Sequence, residues 1–138
     1  MTDVATILGV DPGTRRIGLA IADLETRFAR PLEVVPASAT GIDRIVELAA
    51  ERYVVKIVVG RPVSLSGRDG PAVEKQQKFV AELRAATDIP VEEYDERLTT
   101  VVAESAMRAA GTSAKQRKEI RDAMAAQVLL QGFLDARR

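Results

Sequence analysis

Asp11, Asp95, Glu96 and Asp122 are the residues whose types and positions point to chemistry. Asp11 closes an apolar segment, at the expected carboxyl end of a first strand. Asp95 and Glu96 stand at the expected end of the last strand. Asp122 lies early in a last helix, and its face continues as Ala126, Leu129 and Phe133, so the acid lies along the packed stripe and not squarely in solvent. In open α/β sheets, ligands gather outside the carboxyl ends of strands. Carboxylates drawn together repel one another unless cations neutralise them, and all-oxygen donors suit Mg²⁺ or Mn²⁺. Two such ions about 4 Å apart activate water and stabilise the leaving oxygen of a phosphodiester. Each acid also has a structural reading: Asp11 as a turn cap before Pro12-Gly13, Glu96 as the ion-pair partner of Arg97, Asp122 as a helix-surface acid paired with a basic neighbour.

The composition narrows the alternatives. The chain has no histidine and no cysteine, which removes the usual general base at neutral pH, thiolate metal sites, disulfides and cysteine nucleophiles. Catalysis would rest on carboxylates, hydroxyls, Lys/Arg and bound ions. Twenty basic and twenty acidic residues cancel, so net charge alone gives no sign of a nucleic-acid partner. Lys115, Arg117, Lys118 and Arg121 make a basic stretch that reads equally as a solvated helix face or a phosphate track. No apolar run reaches the roughly 20 residues that cross a bilayer. Met1-Thr2-Asp3 leads into a strand without the basic start of a signal peptide, so a cytoplasmic protein with no membrane association is expected.

The elements that must position these acids follow from hydrophobic period. Residues 4–10 are almost continuously apolar, as for a central strand buried on both faces. Pro12-Gly13-Thr14 breaks the run and Ile17 to Ala22 resumes it, a hairpin with a cationic tip; a third strand covers Leu32 to Val35. Ile42, Ile45, Val46 and Ala49 have helical spacing behind Thr40 as N-cap. Val54 to Val59 is a strand, followed by a loop from Gly60 to Gly70. Pro71 suits the first position of a helix that buries Phe79, Val80 and Leu83. Val91 to Tyr94 is a strand that Pro90 assigns to an edge. A helix capped by Thr99 or Thr100 ends near Gly111, and a last one runs from Ser113 to Ala136. The 138 residues hold one domain, 1–138, of class α/β: an RNase H-like mixed sheet in the order βββαβαβαα.

Four stretches resemble the YqgF-type (RuvX) family, the Holliday-junction-resolvase-like bacterial proteins associated with maturation of the 16S ribosomal RNA precursor. They are Ile7 to Ala20 with its Asp11-Pro12-Gly13-Thr14-Arg15-Arg16 core, Val58-Val59-Gly60-Arg61-Pro62 with Gly67 and Gly70, Asp95-Glu96-Arg97-Leu98-Thr99-Thr100, and Asp122 to Leu134. Together, in order and at this length, they are specific. The resemblance implies a metal-dependent endonuclease with Asp11, Glu96 and Asp122 as ligands of Mg²⁺ or Mn²⁺. Asp95 and Glu96 share the strand-end position, and Glu96 is favoured there. It further implies that Arg15, Arg97, Arg16 and Arg61 face substrate phosphates or the developing charge, that Thr14 donates to a phosphate, and that Gly13 and Gly60 permit close backbone approach. Arg121, ahead of the helix acid, departs from the apolar residue expected there.

The implied substrate is structured precursor rRNA, on ribosomal particles or free of them, handled by a monomer or homodimer. Cleavage of branched DNA is the alternative within the same chemistry and would favour a symmetric dimer. A non-catalytic RNA-binding assembly factor is the alternative outside it. The Asp-x-Gly-Thr turn also resembles that of sugar kinases and Hsp70-like ATPases, but those need a second such domain to close over the nucleotide.

Overall fold

The computed structural model describes residues 4–61, 71–95 and 114–137, with the side chains of 71–72 and 114–123 outside that description. Five strands form one mixed sheet: β1 (Thr6–Pro12), β2 (Arg16–Asp23), β3 (Arg30–Pro36), β4 (Val54–Arg61) and β5 (Val91–Asp95). Their spatial order is β3-β2-β1-β4-β5. The hairpin pairs β1 with β2 antiparallel up to Pro12↔Ile17, and β2 pairs antiparallel with β3. Helix α1 (Ala39–Glu51) carries the chain back so that β4 lies parallel to β1, and α2 (Pro71–Ala86) does the same for β5 beside β4. The long helix α3 (Ala114–Ala136) follows. β1 sits at the centre and β5 at an edge, as their apolar run and Pro90 predicted. The helix expected to end near Gly111 lies outside the described residues. Thr40 is a correction: it stands inside α1, and Ser38, with extended backbone, holds the N-cap position.

Strand alternation divides the sheet into two unlike faces. Toward α1 and α2 it presents branched aliphatics: Leu8 and Val10 from β1, Ile17 and Leu19 from β2, Ile57 and Val59 from β4, packed on Ile45, Leu48, Val80 and Leu83. Toward α3 it presents smaller groups, Ala20, Ala22 and Val58, against Ala126, Leu130 and Phe133. Gly9 belongs to this second face. A Cβ at position 9 would come within 2.8 Å of the Leu130 Cβ and 3.3 Å of the Ala126 carbonyl oxygen, so the glycine sets how closely α3 lies on β1. The predicted stripe of α3 is buried: Ala126 and Leu129 are fully enclosed and Phe133 nearly so.

The far end of α3 is tied to the β2–β3 turn, whose Arg27 has a left-handed backbone (φ 60°). The Gln131 amide accepts from the Ala29 N–H at 2.8 Å and donates to the Arg27 carbonyl at 3.1 Å, while Gln127 donates to the Ala29 carbonyl. The Arg27 guanidinium caps the Leu134 carbonyl at 2.9 Å.

Candidate active site at the carboxyl end of the central strand

Asp11 is the last residue but one of β1 and is half-buried. Its place in the strand alternation puts it on the α3 face with Ile7 and Gly9. The lateral neighbours on that face are glycines. Gly18 stands opposite it on β2, and Gly60 is the next residue of β4 after the Val10↔Val59 pair. Neither flanking strand therefore sets a Cβ beside the carboxylate.

The hairpin tip is fixed by backbone bonds. The Gly13 N–H donates to the Arg16 carbonyl at 2.9 Å, and the Ala37 N–H to the Arg15 carbonyl at 2.9 Å. A Cβ on Gly13 would meet the Arg16 carbonyl oxygen at 2.5 Å, so the turn needs the glycine. Thr14 and Arg15 are exposed at this tip. Arg16 is the first residue of β2, half-buried and paired with Pro36. Arg61 closes β4 beside Asp95 in register and lies 4.0 Å from the Glu93 carboxylate.

Asp95 comes to the same end of the sheet as Asp11 but, by alternation, to the opposite face. Tyr94 is turned to α3, where its hydroxyl lies 3.4 Å from the Gly132 carbonyl and its ring meets Phe133 edge-on at 5.7 Å. Asp95 therefore shares the α1/α2 side with Arg61 and Glu93. Glu96 and Arg97 lie outside the described residues, and so does the side chain of Asp122, whose backbone is in α3. Among the described residues, no three metal-binding side chains lie together.

Gln76 was not singled out by its sequence. It is 6 % exposed on the buried stripe of α2, and its amide donates to the Gly60 carbonyl, joining that helix to the strand end beside Asp11. A polar residue at helical spacing between Val73 and Val80 was the available signal.

Comparisons with known proteins agree with this architecture. A family model described as "RuvX: Holliday junction resolvase" matches residues 5–136. The chain belongs to the RuvX family. A Chloroflexus aggregans protein named "Putative pre-16S rRNA nuclease" is 47 % identical over 135 residues, covering 96 % of this chain and 95 % of its own. A relative of the same name from Bacillus cereus is 43 % identical, with 95 % and 98 % covered. Among solved structures, Thermus thermophilus RuvC in complex with a Holliday junction superposes with a TM-score of 0.59 at 21 % identity, covering 96 % of this chain and 95 % of that one. Fowlpox virus resolvase with Holliday junction DNA gives 0.56 at 9 % identity, with 95 % and 97 % covered. These two share the fold, which is RNase H-like. Family and relatives alike mark the chain as a nuclease, and no helix among its described residues is long and apolar enough to cross a membrane.

Proposed function

We propose that the protein is a metal-dependent endonuclease that processes the precursor of 16S ribosomal RNA, with Asp11, Glu96 and Asp122 holding Mg²⁺ or Mn²⁺. The observation that carries this reading is the crossing of α3 over β1 at Gly9. Ile7 clusters with Phe133 and Leu134, and Gly9 meets Ala126 and Leu130, so strand and helix run in opposite directions. Two residues along the strand advance about 6.6 Å, and four along the helix about 6 Å. Asp11, two residues beyond Gly9, is thus level with the turn of α3 that begins at Asp122, four residues before Ala126.

The same alternation counts against Asp95, which lies on the face away from α3 while Asp11 lies toward it, and Glu96 is the strand-end ligand of this reading. The donor set fits the group. It is made of hard oxygens without sulfur or imidazole, and glycines stand on both strands beside Asp11.

Bound there, divalent cations would supply an activated water and neutralise charge on the phosphodiester. The protein's own groups would do the rest. Asp11 is held rigidly by the central strand, and the cationic tip at Arg15 and Arg16 would draw in the phosphate backbone. Arg61, Arg97 and Thr14 would bind flanking phosphates. Cytoplasmic ribosomal particles are the expected setting.

Purified protein with Mn²⁺ is expected to cut precursor 16S rRNA, and Asp11→Asn to abolish cutting with the fold intact. Full cutting by that variant would remove Asp11 from the mechanism, and no cutting by the native protein together with normal rRNA maturation in cells carrying Asp11→Asn would make the protein a non-catalytic binding factor. Branched DNA is the second reading, favoured by the description of the family itself; preferential cutting of a four-way junction by a dimer would establish it.

A further inference from the structure

The face of the sheet away from α3 carries a groove of about 440 Å³ between the hairpin tip, the start of α1 and α2. Asp11 is not among its lining residues. Its polar wall consists of Thr14, Ser38, Lys75, Gln76, Lys78 and Glu82.

One end is suited to an anion. α1 opens there with Ser38 at the N-cap, whose side chain makes no cap hydrogen bond, and no acidic residue occupies the first turn. Backbone N–H groups of a first helical turn have no partners within their own helix, and the helix dipole adds positive potential. Lys75 and Lys78 are exposed on the α2 wall.

Gln76 makes the opposite demand. Its amide nitrogen is committed to the Gly60 carbonyl, which fixes the amide orientation, and its Oε1 is a buried acceptor without a partner among the described residues. A buried acceptor left unpaired costs roughly 1–3 kcal/mol, and an anion cannot satisfy it because it has no proton to give. The ligand that meets both requirements carries a phosphate and, a few atoms away, a hydroxyl donor. A ribonucleotide unit of an RNA chain has both, and a groove of this size holds one. DNA has the phosphate without the 2′-hydroxyl.

We infer that this groove is a ribose-reading subsite, in which the start of α1 with Lys75 and Lys78 binds an RNA phosphate while Gln76 Oε1 accepts the neighbouring 2′-hydroxyl. Assigning the ligand to the substrate strand rests on the RNA reading above; the groove's need for a donor does not. Such a site lets the protein tell RNA from DNA at a distance from the bond it cuts, on the opposite face of β1 from Asp11.

The test is binding without divalent ions, so that cleavage does not enter. Isotope-labelled protein is titrated with a 5′-phosphorylated tetraribonucleotide, with its 2′-deoxy counterpart and with inorganic phosphate, following the Ala39 and Thr40 amides and the Gln76 side-chain amide by NMR. The ribo-oligomer is expected to shift all three and to bind about three- to tenfold more tightly than the deoxy form. Gln76→Met should erase that preference. Lys75→Ala with Lys78→Ala, both at exposed positions, should weaken both oligomers alike and flatten their salt dependence. Equal affinity for ribo and deoxy forms, shifts confined to other residues, or inorganic phosphate reproducing the Gln76 shift would each overturn the subsite. Loss of the nuclease reading would show instead as no cutting by the native protein with Mn²⁺, a result independent of this preference.

Discussion

The two faces of the sheet meet the same central strand and solve different problems. Toward α1 and α2, β1 shows Leu8 and Val10, large side chains with 0 % exposure that bind the helices by area. Toward α3 it shows Gly9 and then Asp11, giving up area so that a helix backbone comes close and a carboxylate faces it. Stability is concentrated on the first face and positioning on the second. The lesson is that in a sheet this small one strand can serve both purposes, because its alternate residues never share a side.

The sharpest way to break that division is Asp11→Asn. It should reduce cleavage a hundredfold or more, corresponding to about 3 kcal/mol or more of barrier, while the melting temperature stays within a few degrees. Steady-state assays with Mn²⁺ and calorimetry on the same preparation check both halves, and a large loss of stability would show Asp11 to be structural.

On the other face the expectation reverses. Leu19→Ala empties a fully buried site and should cost about 2–5 kcal/mol in denaturant unfolding, with residual activity following the folded fraction. Gly9→Val tests the boundary between the two. The added side chain runs into Leu130 and should cost about 1–3 kcal/mol. Because the strain displaces α3, cleavage should fall further than unfolding accounts for; activity in step with stability would deny α3 its positioning role.

The smallest effect concerns the strut between β3 and α1. Arg44 grips Glu33 through two hydrogen bonds, at 2.8 and 3.0 Å, and holds that carboxyl below its usual range against some opposing desolvation. A depressed carboxyl value means a stabilising contribution present above about pH 4.5 and lost as pH falls through the lower folded-state value. Both side chains are about a third exposed, so solvent weakens the pair. Melting curves between about pH 6 and pH 3 should show a slightly steeper loss for the native protein than for Arg44→Ala.

Much of this was legible beforehand for a local reason. The continuous apolar run of β1, Pro90 before an edge strand, Pro71 opening α2 and the 126/129/133 stripe each report a residue's own surroundings, which period and backbone chemistry encode. Partners at long range are not encoded that way. Nothing near position 131 announces the carbonyl of residue 27, and nothing near Gln76 announces Gly60. Strand period alone does not say which face Asp95 takes; that follows only once Tyr94 is known to face α3, which puts Asp95 on the side away from Asp11. Thr40 misled because it is an acceptable cap by type; Ser38 holds the position because the chain leaving β3 turns there.

The glutamine tie between α3 and the β2–β3 turn has a mechanical corollary. Gln131 lies nine residues from Asp122, about 13.5 Å along the axis. A rod pinned at its foot swings most at its tip. Slackening the pin, as by Gln131→Ala, would let the opposite end of α3 drift, and a loss of cleavage in that variant would trace to a turn at the far end of the helix.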